Sequence, residues 1–208
     1  MTQTRSALML MTVGIALSAC APELTASAPG GRTQISGVVC PPAGTVAVRD
    51  DGSRLRYAGA DPSDPAVCLV RTGMTTTRML GGLMATQPVN DADRRAGLAS
   101  LYPLAIGRTA TVRYRLVNPR VIGQTFPFEE TFRVTGEASV TLEDGATRQA
   151  WVVQGRNRNL NDGQGVFDTT YQIDKETGVI LNQVTTSMTG APASGVPVRV
   201  TSLSMANR

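Results

Sequence analysis

Carboxylates, a single lysine, three cysteines and eight methionines are the main reactive groups of this 208-residue chain, because it contains no histidine. That absence removes the commonest general base and the commonest metal ligand together. Ser-His-Asp and Cys-His hydrolases and histidine-ligated metal sites are therefore excluded. Paired carboxylates are the remaining route to acid–base catalysis. Glu129 and Glu130 are adjacent, so on a strand they point to opposite faces and cannot act together. Asp50-Asp51, Glu143-Asp144 and Asp174/Glu176 fall among turn residues, where carboxylates satisfy backbone donors. Glu130 is the best catalytic candidate because it shares a face with Phe128, Phe132 and Val134. Burial there would raise its pKa. The alternative is an edge-strand glutamate paired with arginine.

The other donor groups assemble no site. Lys175 lies in a turn, not in the desolvated setting that a nucleophilic lysine needs. Met74, Met79 and Met84 recur every five residues, and thioethers suit copper(I). A spacing of five matches neither a strand face nor a helix face, so these methionines read as gap-fillers. Asn159, Asn161, Asp162, Gly163 and Asp168 faintly suggest a calcium loop, but they miss its twelve-residue spacing and closing glutamate. Gly163-Gln-Gly165 lacks the third glycine and following helix of a nucleotide loop. No cofactor is expected.

The basic balance, 20 Lys+Arg against 16 Asp+Glu, is carried almost wholly by arginine. Arg113 and Arg115 share the outer face of one strand, with Arg133 and Arg148 nearby. Guanidinium groups so placed suit acidic lipid, lipopolysaccharide or peptidoglycan. The plainer reading is a solvated face whose charges resist aggregation.

The elements that must position these residues are mostly strands. Residues 45–49 and 54–58 flank the turn Asp50-Asp51-Gly52, and 67–71 form a third strand. Two prolines in Asp61-Pro-Ser-Asp-Pro65 predict a loop between the second and third. Residues 90–101 form one amphipathic helix capped by Asn90 or Asp91 and ended by Pro103, although Gly97 weakens it. Beyond it, 109–117 alternates with Val112, Tyr114 and Leu116 on one face, and 126–134 alternates similarly. Hairpins follow at 137–142/149–154 and 166–173/179–186, the second turning at Gly178, and 198–203 is the last strand. The expected fold is mainly β: an antiparallel meander forming a curved sheet or open barrel, with one short helix.

The first twenty residues address the chain. Arg5, an apolar stretch of roughly a dozen residues and small residues before Cys20 have the form of a secretory signal, shorter than a membrane span. The run Leu17-Ser18-Ala19-Cys20 resembles the lipobox of bacterial lipoproteins. That resemblance implies diacylglycerol on Cys20, cleavage before it, and a membrane partner held through the N-terminal lipid. With Ala21 rather than Asp next, it implies an outer-membrane anchor facing the periplasm. Such an address leaves no role for nucleic acid. In an oxidising compartment Cys40 and Cys68 read as a disulfide contributing about 3.5 kcal/mol by chain entropy. Two buried thiols or a redox pair are the alternatives, though the spacing is not Cys-x-x-Cys.

The chain thus divides into a signal peptide (1–19), a flexible Ala/Pro/Gly/Ser/Thr-rich tether (20–36) and one β-rich envelope domain (37–208). A coil of the tether's length spans roughly 20–25 Å, which keeps the domain near the bilayer.

Residues 130–186 also resemble a loose group of β-rich extracytoplasmic bacterial proteins of unassigned function. The resemblance rests on Val134-Thr-Gly136-Glu137, Asp144-Gly145 and Asp174-Lys-Glu-Thr177-Gly178. Ala146-Thr147 departs from it where an aromatic residue often follows the glycine. It implies a curved sheet or open barrel, in some members one that cradles acyl chains. The functional expectation is a non-enzymatic envelope lipoprotein that binds or scaffolds envelope proteins, lipid or peptidoglycan. Its alternatives are an apolar-ligand carrier with a half-barrel cavity, or a carboxylate enzyme using Glu130.

Overall fold

The structure is a computed structural model that describes residues 33–87, 91–117, 123–161, 167–187 and 197–205. Eleven strands form one antiparallel sheet that does not close into a barrel. They are β1 (Val46–Arg49), β2 (Arg54–Asp61), β3 (Asp64–Thr72), β4 (Thr75–Leu80), β5 (Met84–Ala85), β6 (Thr109–Val117), β7 (Thr125–Thr141), β8 (Thr147–Asn159), β9 (Phe167–Asp174), β10 (Ile180–Ser187) and β11 (Val198–Ser204). Their spatial order is β5-β4-β3-β2-β1-β11-β10-β9-β8-β7-β6. The chain starts in the middle and meanders to one edge. It then crosses to the other edge and meanders back until β11 pairs with β1.

The crossing is helix α1 (Asp91–Leu98), followed by a single 3₁₀ turn at Ala99–Leu101. It reaches both edge strands. The Arg94 guanidinium donates to the Ala85 carbonyl of β5 at 2.6 Å, while Gly97 lies on the backbone of β6. A Cβ at Gly97 would stand 2.6 Å from the Thr111 carbonyl oxygen. The glycine that weakened the helix prediction is what allows this close packing. Leu98 and Leu101 are fully buried. Covering sheet edges with a helix removes open pairing templates without closing a barrel.

Four sequence expectations are corrected. Asp61–Pro65 is not a loop: Asp61 ends β2 and Asp64 starts β3, leaving only Pro62-Ser63 as the turn. Asp61 accepts from the Ser63 N–H and hydroxyl, and Pro65 falls in a bulge where it needs no ladder partner. Strands β4 and β5, on either side of Gly81-Gly82, are two elements that the sequence pattern does not predict. Residues 126–134 and 137–141 belong to one 17-residue strand that ends just before Leu142, with Thr135 skipped at a bulge before Gly136. Ile35, placed in the tether by its surroundings in sequence, is 5% exposed and belongs to the core.

One core cluster joins α1 to the inner face of β6–β9 through Leu98, Leu101, Val112, Phe132, Val134 and Val153. A second, around Ala47, Leu55, Val179, Leu181 and Val200, lies where the two halves of the meander meet. Cys40 and Cys68 form a disulfide that ties the segment before β1 to β3. This segment crosses the turn at Gly178, whose φ is +74° and where any Cβ would overlap the Val39 carbonyl.

Candidate functional site

Pairing of β7 between β6 and β8 sends Glu130 and Glu129 to opposite faces, as strand alternation requires. On the inner face Glu130 lies across from Val112 and Asn157, in line with Phe128, Phe132 and Val134. The Tyr114 hydroxyl donates to Glu130 at 3.1 Å, and the Asn157 amide donates to the Tyr114 oxygen at 2.7 Å. Arg94 stacks its guanidinium 4.5 Å from the centre of the Tyr114 ring. Burial raises the Glu130 pKa, opposed by hydrogen bonds from Tyr114 and Asn157 and by the charge of Arg94. Burial, reinforced by the Glu130 charge, also pushes the Tyr114 and Tyr171 phenols above their ordinary range.

The edge-strand alternative for Glu130 is overturned, since β7 is an internal strand. Arginine pairing belongs to its neighbour. On the outer face Arg113 Nε stands 2.8 Å from one oxygen of Glu129, and Arg158 Nη2 stands 2.6 Å from the other. These hydrogen bonds, Arg113's first, hold the Glu129 carboxyl below the usual range. Arg156 grips Asp168 with two contacts, at 2.8 and 3.0 Å, and holds its pKa down. Arg133 and Arg115 complete the face. Among the described residues, five arginines, Arg115 with an interaction of its own, share the outer side of β6–β9 with two carboxylates. Thr131, Arg133, Gln154, Arg156, Asp168 and Thr170 border a shallow groove of about 510 Å³ there. Arg148 does not join them; it pairs with Asp174 at 2.7 Å and Glu176 at 2.9 Å.

Two narrower clefts flank the crossing of residues 37–41 over Gly178. One, of about 100 Å³, lies between Val39, Tyr102, Leu104, Trp151, Ile173 and Ile180. The other, of about 180 Å³, is walled by Leu55, Tyr57, Val70, Met79 and Ile180 and has Arg49 in its lining. Both are below the roughly 300–1,000 Å³ of sites for drug-sized ligands. Neither is lined by Glu130.

The remaining candidates are dispersed. Met74 is fully exposed in a turn, Met79 lines the larger cleft and Met84 is buried in the core, so no thioether site forms. Among the described residues no cluster of histidine, cysteine or carboxylate could hold a metal. Lys175 sits 4.0 Å from the centre of the Trp151 ring and 2.6 Å from Glu137. Asp51 and Asp144 accept turn N–H groups at 2.8 and 3.0 Å, and Asp174 accepts from Thr177 at 3.0 Å. Asn159 caps its own turn by accepting from Asn161 at 2.9 Å, while the rest of that loop, 162–166, is outside the described residues. Cys20 and the lipobox also lie outside them.

Sequence reasoning missed the buried arginines of α1. Arg95, 3% exposed, pairs with Asp64 and, at 2.6 Å, with Asp91. The i, i+4 spacing of Asp91 and Arg95 was a visible signal; the 31-residue separation from Asp64 carried none.

No protein-family model matches the chain, and no curated protein matches it. Among solved structures it is similar to the hypothetical lipoprotein YmcC from Escherichia coli (K12), at 14% identity and a TM-score of 0.47. The likeness covers 80% of this chain and 88% of that one. No functional reading rests on so distant a likeness.

Proposed function

We propose that the chain is a lipid-anchored protein of the bacterial cell envelope, at the outer membrane and facing the periplasm. Its β domain binds anionic headgroups through the outer face of β6–β9. The carrying observation is the charge of that face: among the described residues Arg113, Arg133, Arg156 and Arg158, with Arg115 beside them, stand with Glu129 and Asp168. Guanidinium forks match phosphate oxygens bidentately, which a flat strand face with regular spacing can repeat. The lipobox at Leu17–Cys20 and the Cys40–Cys68 disulfide both suit an exported chain. A thioether-linked diacylglycerol supplies two chains, enough for stable anchoring where one is marginal. The short tether keeps the domain within reach of the bilayer's own phosphates.

On this reading Glu130 is a structural group rather than a catalytic one, held by Tyr114 and Asn157 among aromatic side chains. Palmitate labelling and intact-mass analysis of the expressed chain and of Cys20→Ala test the anchor. Acylation is expected in the first and lost in the second; equal lipid signals contradict it. A chain lacking residues 1–20, free of both signal and lipid, then isolates the face, and it is expected to co-sediment with phosphatidylglycerol vesicles but not with phosphatidylcholine vesicles.

A further inference from the structure

The geometry points to a binding site for a medium-chain carboxylate, six to eight carbons long, in the cleft between β2–β4 and the turn at Gly178. The walls are Leu55, Tyr57, Val70, Met79 and Ile180, with the Cys68 side of the disulfide also in the lining. A volume of about 180 Å³ holds on the order of ten water-sized groups, which matches the heavy atoms of octanoate. That accommodates a short alkyl chain and excludes a full phospholipid tail.

Arg49 gives this cleft its chemistry. Among the described residues it is the one charged side chain in the lining, and its Nε is buried without a hydrogen-bond partner there. Among the described residues it belongs to no ion pair, and no carboxylate of theirs lines the cleft. The nearby charge it meets is Asp51, which lies in the turn after β1 and is already engaged by Ser53. A buried donor without a partner is costly, and an apolar cleft lined by one such cation is complementary to an amphiphile with an anionic head. The carboxylate would meet the Arg49 guanidinium while the chain lies against Leu55, Val70 and Met79. Thr72 and Thr77, also in the lining, add hydroxyl donors. Arg49 is distinct from the five arginines of the outer face, so this site stands independently of the proposed headgroup binding.

Calorimetric titration of the Cys20→Ala chain with octanoate, octanol and acetate tests the site. Octanoate is expected to bind saturably and at least tenfold more tightly than octanol, and acetate not to bind. Arg49→Gln should bring octanoate down to the level of octanol and leave octanol unchanged. Val70→Phe, which fills the cleft, should abolish both. Equal affinity for octanoate and octanol, no saturable binding of octanoate, or an Arg49→Gln chain that keeps its octanoate preference would overturn the assignment. If Arg49→Gln does not fold, the octanoate-to-octanol ratio of the parent chain decides.

Discussion

Glu129 and Glu130 are consecutive residues on one strand, yet they occupy opposite electrostatic worlds. Glu129 faces outward between Arg113 and Arg158 and has its pKa pulled down. Glu130 faces inward among Tyr114, Asn157 and Phe128 and has its pKa pushed up. The contrast extends to the two faces of β6–β9. The inner face carries Val112, Phe132, Val134 and Val153 and supplies packing; the outer carries arginine and threonine and supplies recognition. A period-two strand is the simplest way to put these two tasks on one backbone.

The largest test of that division is Phe132 against Arg133. Phe132 is fully buried, so Phe132→Ala is expected to cost about 3–5 kcal/mol. Arg133→Ala, one residue along on the solvent side, should stay within about 0.5 kcal/mol. Urea denaturation measures both, and comparable losses would collapse the distinction.

Next in size is the link between α1 and the β2–β3 turn. Asp64→Ala leaves Arg95, buried at 3% exposure, without one of its two partners. A loss of about 3 kcal/mol is expected from the same denaturation assay. A neutral outcome would mean that the Arg95–Asp64 pair contributes nothing to holding the helix.

The two glutamates give a smaller but more diagnostic pair, because their pH dependences have opposite signs. Glu130 has a raised pKa, so the folded state favours its protonated form, and stability falls as pH rises through the interval above the ordinary glutamate value. Glu130→Gln should remove that fall, leaving the protein at least as stable at pH 7. Glu129 has a lowered pKa, so its contribution is present above the ordinary value and fades as pH drops through the folded one. Glu129→Gln should flatten the acid limb, with a loss at pH 7 under about 1 kcal/mol that salt reduces further. Melting temperatures from pH 3 to pH 8 distinguish the two; matching profiles would refute the assignment of faces.

The opposite facing of Glu129 and Glu130 was legible because alternation alone dictates it. So were most hairpins, where Gly52, Gly145 and Gly178 take positive φ as their turns require. The disulfide followed from compartment and from there being two remaining cysteines. What escaped were features decided by distant partners. Arg94 and Arg95 are charged residues on a short helix, and pattern reasoning places such residues in solvent. They are buried because Asp64 and the Ala85 carbonyl lie across the fold to receive them. Ile35 looked like tether because its neighbours are Thr, Gln and Ser, and only the core it enters reveals its role. Arg49 gave no signal, since a cleft formed where the two halves of the meander meet has no local sequence signature.

Vesicle co-sedimentation, across salt concentrations, of a chain lacking residues 1–20 tests the central claim most directly, since both the lipid anchor and the apolar signal are then absent. Binding to phosphatidylglycerol vesicles should weaken steadily as salt rises, and the double variant Arg133→Glu/Arg156→Glu should lose it while Arg94→Gln keeps it. Undiminished binding by the double variant, or none by the parent at low salt, would contradict the account.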